Sequence, residues 1–291
     1  MNISLVNPAT NTGEQRRVRA VVLELALILA VIMLYRSGRM LTQDAAGDAL
    51  ANASRVIDFE RATGIFSERS VQAWALGRPA FVEMLNRYYV IVHFPATIAF
   101  FVWAYIRHPA AYRFIRTWFV LVTLAGLAIH VGFPLAPPRM TSGFRDTLQE
   151  YGPRIYSRDP RRSISNQFAA MPSLHFGWAL MLAAAFVAIK RNRKSLLILL
   201  HPAITLLAIV ATGNHYWLDA MIAAVLAAIF AVVLAAWRIH RNAKAERRAA
   251  EAQITSTVRR PNVDSTAAAT LHDDGAPAVH DLQVCTTRGS P

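Results

Sequence analysis

His215 and Asp219 stand four residues apart in "GNHYWLDA", where a short polar turn gives way to an apolar run without charge. On a helix that spacing puts both side chains on one face, one turn apart. A carboxylate so placed can hold one imidazole N–H, fix the tautomer and leave the other nitrogen as a nucleophile or base. A second histidine, His175, lies in "MPSLH", where Pro172 and Ser173 read as a helix start, with proline tolerated in the first turn and serine able to cap. Arg139 ends "FPLAPPR", its backbone stiffened by Pro137 and Pro138. Its planar fork of donors suits phosphate and keeps its charge. A helix start adds free backbone N–H groups and a positive dipole end, both of which favour an anion. Two such starts, before His175 and before Asp219, are expected to face the same point. The chemistry within reach is a histidine nucleophile or base working beside groups that hold an anion.

The elements that carry these residues are membrane spans. The chain has 291 residues, 54% of them hydrophobic, and the apolar residues are bunched into runs near the thickness of a bilayer core. Six spans are expected, at 18–35, 88–106, 114–135, 173–190, 195–212 and 215–237. The short connections "KRNRKS" and "GNH" make spans four, five and six antiparallel neighbours in an all-α, polytopic helical bundle. The formal charge of +13 follows the spans rather than any nucleic-acid-reading motif, so no nucleic acid is expected as a partner. Arg16, Arg17 and Arg19, then Arg107, Arg113 and Arg116, then Lys190 to Lys194, then Arg238 to Arg248 all fall on one side of a six-span chain. That side reads as the cytoplasm, with both termini there, in a plasma membrane. The opposite face then holds 36–87, the loop 136–172 and the "GNH" turn, and brings the three polar clusters to one depth.

The organisation expected is a cytoplasmic segment 1–17, a membrane domain 18–240 and a disordered cytoplasmic tail 241–291. Within the domain, 36–87 is too long for a bare loop and too polar to cross, and reads as short interfacial helices. The first span reads as a retained helix rather than a removed signal peptide. The lone Cys285 excludes an intrachain disulfide and a thiolate zinc cluster. His93, His130 and His201 read as histidines hydrogen-bonded within the bundle, and Glu24 must face protein or water. Trp178, Tyr216 and Trp217 read as interface aromatics. Arg145, Arg154, Arg158, Arg161 and Arg162 make the third loop basic, either as a solvated surface or as a device that gathers an anionic substrate.

The three clusters resemble the motifs of the type 2 phosphatidic acid phosphatase (PAP2) superfamily, and in particular its branch related to inositol-phosphorylceramide synthases and inositolphosphotransferases. "MPSLH" matches the second motif, Pro-Ser-x-His, "HYWLD" the third, His-x-x-x-Asp, and "APPR" stands in for the first. The best-known pattern has Lys seven positions before the first-motif Arg and Pro after it, where this chain has Gly132 and Met140. It has Arg six positions before the third-motif His and Gly before the second-motif His, where this chain has Ile209 and Leu174. The inositolphosphotransferase-like branch is similar in these departures.

The resemblance implies a core like that of the PAP2 enzymes and vanadium haloperoxidases, and a metal-free phosphoryl transfer through a phosphohistidine, without a cofactor. Mapped onto this chain, His215 attacks phosphorus, oriented by Asp219. His175 protonates the leaving alcohol and then deprotonates the acceptor, which is water, an alcohol or a polyol. Arg139, Ser173 and helix-start amides hold the phosphate oxygens, and Asn214 and the loop arginines are candidates for the absent cations. The implied substrate is a membrane lipid phosphate. Two other readings of the residues stay open: a metal held by two His and one Asp, and a non-catalytic scaffold that binds or transports anionic lipids.

Overall fold

The computed structural model describes residues 8–41, 45–152 and 168–258. The described residues form α-helices α1 (Pro8–Leu41), α2 (Ala46–Ala62), α3 (Glu68–Leu76), α4 (Pro79–Arg87), α5 (His93–Arg107), α6 (Pro109–Gly132), α7 (Thr147–Tyr151), α8 (Leu174–Lys190), α9 (Leu200–Ala211) and α10 (Trp217–Val258). A π-helical turn, Tyr88–Val92, joins α4 to α5, and a 3-10 turn, Arg193–Leu199, leads into α9. Strands are absent among the described residues, and a single parallel bridge pairs Leu135 with Ala169.

Four of these stretches are long and apolar enough to cross a membrane: Pro79–Arg107, Pro109–Gly132, Arg193–Ala211 and Trp217–Thr255. They overlap four of the six expected spans, those at 88–106, 114–135, 195–212 and 215–237. At 17 residues, α8 rises only about 26 Å, short of a hydrocarbon core of roughly 30 Å. The run expected at 18–35 lies inside α1. The second span begins earlier than the apolar run does, because the amphipathic α4 feeds through the π turn into α5 without a break. Proline stands at the first position of α4 and of α6, where its missing N–H costs nothing. The segment expected to hold short interfacial helices carries α2, α3 and α4. The chain divides into one compact unit up to Arg238 and another from Ile239. The described part of the second unit, 239–258, is helical, which corrects the expected start of a disordered tail at 241. Its Ala, Lys, Arg and Glu are strong helix formers. The remainder of the expected tail, 259–291, and Cys285 with it, lies outside the described residues.

Within the first unit α8 packs on α5, α6 and α9, and α1 packs on α6. Lipid gives helices no hydrophobic reason to associate, so close contact of small side chains must do it. Ala179, Ala183, Ala185, Ala223 and Ala227 are all buried. Around them Phe100, Ile115, Trp118, Phe119, Val122, Met181 and Leu182 form the bundle core. The Trp118 indole donates to the Ala227 carbonyl at 2.8 Å. Glu24 faces protein, as its cost in lipid demands: Arg116 Nη1 and the Tyr112 hydroxyl both donate to it. At Gly126 a Cβ would stand 2.8 Å from Leu174 Cδ2 and 3.4 Å from Pro172 Cγ. The absence of a side chain on α6 makes the room that Leu174 takes at the start of α8.

Above the bundle core sits a second core of Ala49, Ala53, Val56, Ile57, Leu135, Ala136, Ala170, Met171 and Tyr216. It joins α2 to the three loops that carry the polar clusters. The loops are stitched to each other through backbone. Leu135 N donates to Phe168 O (2.8 Å) and Ala170 N to Leu135 O (3.2 Å). Arg139 N donates to Gly213 O (2.9 Å), and Ser173 N to Asp219 O (3.1 Å). Ala136 N reaches Ala49 O at 3.1 Å.

Gly213 occupies the left-handed region at φ +70°, and a Cβ there would stand 2.7 Å from Gln72 Nε2. Strain of this kind costs about 1–3 kcal/mol. Gly213→Ala is therefore expected to lower the thermal midpoint in detergent by several degrees, while Gly132→Ala, with nothing within 4 Å, leaves it in place. Arg116→Ala strands the Glu24 carboxylate, so the double variant Glu24→Gln/Arg116→Ala should melt above the single one. The reverse order would mean that the ion pair does not hold α1 to α6.

Candidate active site

His215 lies in the turn between α9 and α10, where its backbone N–H and that of Asn214 both bond the Ile209 carbonyl, at 3.1 and 2.9 Å. The residue is only 6% exposed. Nδ1 stands 2.8 Å from the Ala170 carbonyl and 3.2 Å from Asp219 Oδ2. Both neighbours are acceptors, so Nδ1 carries the proton and Nε2 keeps its lone pair. Burial, opposed by the Ala170 carbonyl and assisted by the nearby Arg139 charge, pushes the imidazole down to about 4. Near neutral pH His215 is thus a neutral base with a fixed tautomer. The carboxylate that holds it is itself held, since Asp219 Oδ2 accepts from Tyr216 N at 2.9 Å.

His175 sits in the first turn of α8, its ring centroid 6.5 Å from that of His215. Its Nδ1 is 3.4 Å from the Tyr89 hydroxyl, and the two rings lie 4.3 Å apart. Ser173 caps α8, with Oγ accepting from Phe176 N at 3.4 Å. His130, on α6, meets the Pro172 carbonyl through Nε2 at 3.1 Å and steadies the turn before that cap. Arg139 is tethered from two sides: Nη1 donates to Asn214 Oδ1 at 2.9 Å, and Nε faces Asp146 Oδ2 at 3.5 Å. Its side chain is 13% exposed. All six residues expected at the site, Arg139, Ser173, His175, Asn214, His215 and Asp219, therefore gather at one end of the bundle.

Several expected roles change once the partners are visible. Asn214 is engaged at both ends, its Nδ2 donating to Thr212 Oγ1 at 2.6 Å while its oxygen takes Arg139. It thereby orients the Arg139 side chain. The start of α10 is not a free anion site, because carboxylates already occupy its N–H groups: Tyr216 N on Asp219, Trp217 N on Glu68 and Leu218 N on Glu60. The start of α8 has no such acid in its first turn. Tyr216 is not an interface aromatic but fully buried, its hydroxyl donating to the Ala136 carbonyl at 3.2 Å. His93 is buried with neither ring nitrogen hydrogen-bonded, against the expectation of a bonded bundle histidine. It packs 5.0 Å from the His175 ring and 5.8 Å from that of His201. His201 does find a partner, the Tyr88 hydroxyl, at 2.5 Å from Nδ1. Of the loop arginines, Arg145 is exposed and pairs with Glu150; Arg154, Arg158, Arg161 and Arg162 lie outside the described residues. Ile209 is fully buried and supports His215 by its carbonyl alone. Among the described residues no three His, Cys, Asp or Glu side chains are grouped to hold a metal, since Asp219 turns toward His215 Nδ1 rather than toward His175.

Ala170, Tyr89, Asp146, Glu60 and Glu68 also reach the site or support it, and were not among the residues expected there. Ala170 contributes a carbonyl, which no residue type announces. Glu60 and Glu68 sit on amphipathic helices where a buried acid looks like a solvated one. Asp146 alone left a trace, as the side chain that caps α7 by accepting from Gln149 N at 3.2 Å.

The arrangement pairs a tautomer-fixed neutral imidazole with a second histidine and a tethered arginine. No curated protein and no solved structure matches the chain. The sequence model of the PAP2 superfamily matches residues 54–234, a stretch that runs from α2 into α10 and takes in all three motif loops. The chain belongs to the PAP2 superfamily.

Proposed function

We propose that this protein is an integral-membrane phosphatase or phosphotransferase that moves the phosphoryl group of a lipid-linked phosphate through a phosphohistidine on His215. Superfamily membership supports the reaction class. The observation that carries the assignment is the His215 ring, its Nδ1 pinned by the Ala170 carbonyl and Asp219, so that Nε2 keeps its lone pair, with the Arg139 charge nearby. Nε2 attacks phosphorus, the bond from phosphorus to the leaving alcohol oxygen breaks, and His175 gives that oxygen its proton. In the second half His175 takes a proton from the acceptor hydroxyl, whose oxygen attacks phosphorus while the P–N bond breaks. Arg139, with the N–H groups at the start of α8, neutralises the charge on the equatorial oxygens. Such transition states need positioning and spread positive charge more than covalent help.

In this reading α1 and α8 cross the membrane with the four longer stretches, the basic connections face the cytoplasm, and the site opens on the other side. An acyl or prenyl chain then stays in lipid while its phosphate reaches the histidines. The departures at Gly132, Met140, Leu174 and Ile209 favour the inositolphosphotransferase-like branch, in which the acceptor is an alcohol or polyol as well as water.

Purified protein incubated with lipid phosphates, with and without alcohol acceptors, should release inorganic phosphate or form a phosphodiester. His215→Ala and His175→Ala are expected to abolish both. Asn214→Ala should lower kcat/KM about tenfold or more, the scale of a hydrogen bond to a charged group. Vanadate should inhibit and exhaustive chelation should not; loss of activity on chelation would restore the metal reading. Saturable lipid binding with no product, surviving removal of both histidines, would make the chain an anionic-lipid scaffold instead.

A further inference from the structure

The first turn of α10 carries His215 just ahead of it and Asp219 within it, and its geometry depends on two acids from elsewhere. Glu60, near the end of α2, accepts from Leu218 N at 2.8 Å. Glu68, at the start of α3, accepts from Trp217 N at 3.0 Å through Oε1 and from Ser67 N at 3.0 Å through Oε2. The Ser67 hydroxyl in turn accepts from the Trp217 indole at 2.9 Å. Both glutamates are fully buried, and so is Asp219. Three carboxyl groups and Tyr216 therefore face one another across α2, α3 and α10.

The two glutamates are not equivalent. Both oxygens of Glu68 serve as acceptors for backbone N–H groups. Glu60 uses only Oε1, while Oε2 is buried and meets no donor. Asp219 Oδ1 is buried without a donor as well, but Asp219 Oδ2 takes two, His215 Nδ1 and Tyr216 N, whereas Glu60 has Leu218 N alone. Of the three carboxyl groups Glu60 is therefore the one least able to carry a charge, and its free oxygen is where a proton stays. We propose that Glu60 and Glu68 are a carboxyl pair holding a single proton, on Glu60 Oε2, and that the pair positions the His215–Asp219 dyad by anchoring the first turn of α10. This rests on the reading of His215 as the nucleophile. Neither glutamate touches the reacting atoms; both act through the backbone N–H groups of Trp217 and Leu218.

Burial, Glu68 and Asp219 together raise the Glu60 carboxyl to about 9. A folded-state value above the ordinary one means a stabilising contribution that is complete below about 4.5 and gone once pH has risen through about 9. Above that point Glu60 and Glu68 repel, and the turn that carries the dyad loses its anchor.

The test compares Glu60→Gln, Glu60→Ala and Glu68→Gln in the full-length protein in detergent, with three readouts. Infrared difference spectra should show a protonated carboxylic acid that persists at neutral pH, disappears around pH 9 and is missing in Glu60→Gln. The thermal midpoint of the unsubstituted protein should fall relative to that of Glu60→Gln between pH 4.5 and 9. In turnover of a lipid phosphate, kcat of the unsubstituted protein should drop with an inflection near 9 that Glu60→Gln removes. Glutamine keeps the acceptor for Leu218 N and a neutral side chain, so Glu60→Gln should retain at least a third of kcat at pH 7, with KM unchanged. Glu68→Gln sets an NH2 group against a backbone N–H and should lose tenfold or more, as should Glu60→Ala. A carboxylic-acid band unaffected by Glu60→Gln, or Glu60→Gln as impaired as Glu68→Gln, overturns the proposal. The infrared and melting readouts need no turnover, so a protein without lipid-phosphate activity would sink the reading of His215 and still leave the carboxyl pair tested.

Discussion

The site depends on backbone hydrogen bonds that tie three irregular loops into one closed unit. Loops at the end of an apolar bundle carry N–H and C=O groups that cannot be left unpaired once buried. Here they are paired with each other: Leu135 with Phe168 and Ala170, Arg139 with Gly213, Ser173 with Asp219. Each of these bonds also joins two of the three loops that carry the polar clusters. The requirement to satisfy the backbone and the requirement to place Arg139, His175 and His215 together are met by the same contacts. The positive φ of Gly213 follows from this, since its carbonyl must turn toward Arg139 N while Gln72 packs against its open side.

The segment from α2 to α4 completes the unit. Its buried polar side chains reach into the loops. Asn52 donates to the Pro134 carbonyl, Gln72 bonds both the N–H and the carbonyl of Arg145, and Asn86 donates to the Thr147 carbonyl. Glu60 and Glu68 do the same for the first turn of α10. A stretch that would otherwise be a surface connection thus works as a polar clamp over the bundle end. Its amphipathic helices turn one face to that work and leave residues such as Phe59, Trp74 and Met84 exposed on the other.

Charge at the site is divided between a tethered cation and buried acids. Arg139 is fixed by Asn214 and Asp146, so its fork needs little reorganisation to meet an anion. The helix ends are used asymmetrically. At α10 the backbone donors are spent on carboxylates, which hold the His215 side of the site. At α8 the Ser173 cap leaves a helix start without acids beside His175. The best-known motif pattern has cations at two of the four departing positions, where this chain has Gly132 and Ile209. Met140 and Leu174 are half-buried, Ile209 is buried and Gly132 has no side chain.

Residue type and spacing alone were sufficient for the membrane-helical class and for the three polar clusters with Arg139, Ser173, His175, His215 and Asp219, while Asn214 entered only through the resemblance, as a candidate for an absent cation. Those features are local: apolar runs, a four-residue His/Asp spacing, a proline and serine before a helix. Glu24 was legible for the same reason, because a charge in an apolar run must find a partner whatever the fold. Tertiary structure decided what no local pattern encodes. It set Ala170 O as the nearer partner of His215, turned Asn214 into the support of Arg139, buried Tyr216, and closed the N-terminus of α10 with acids more than a hundred residues away. It also packed His93 and His201 behind His175. Hydropathy reports how much a side chain would cost in lipid, and spacing reports which face of a helix it shares. Neither reports which distant backbone group comes to meet it, and at this site those meetings assign the roles.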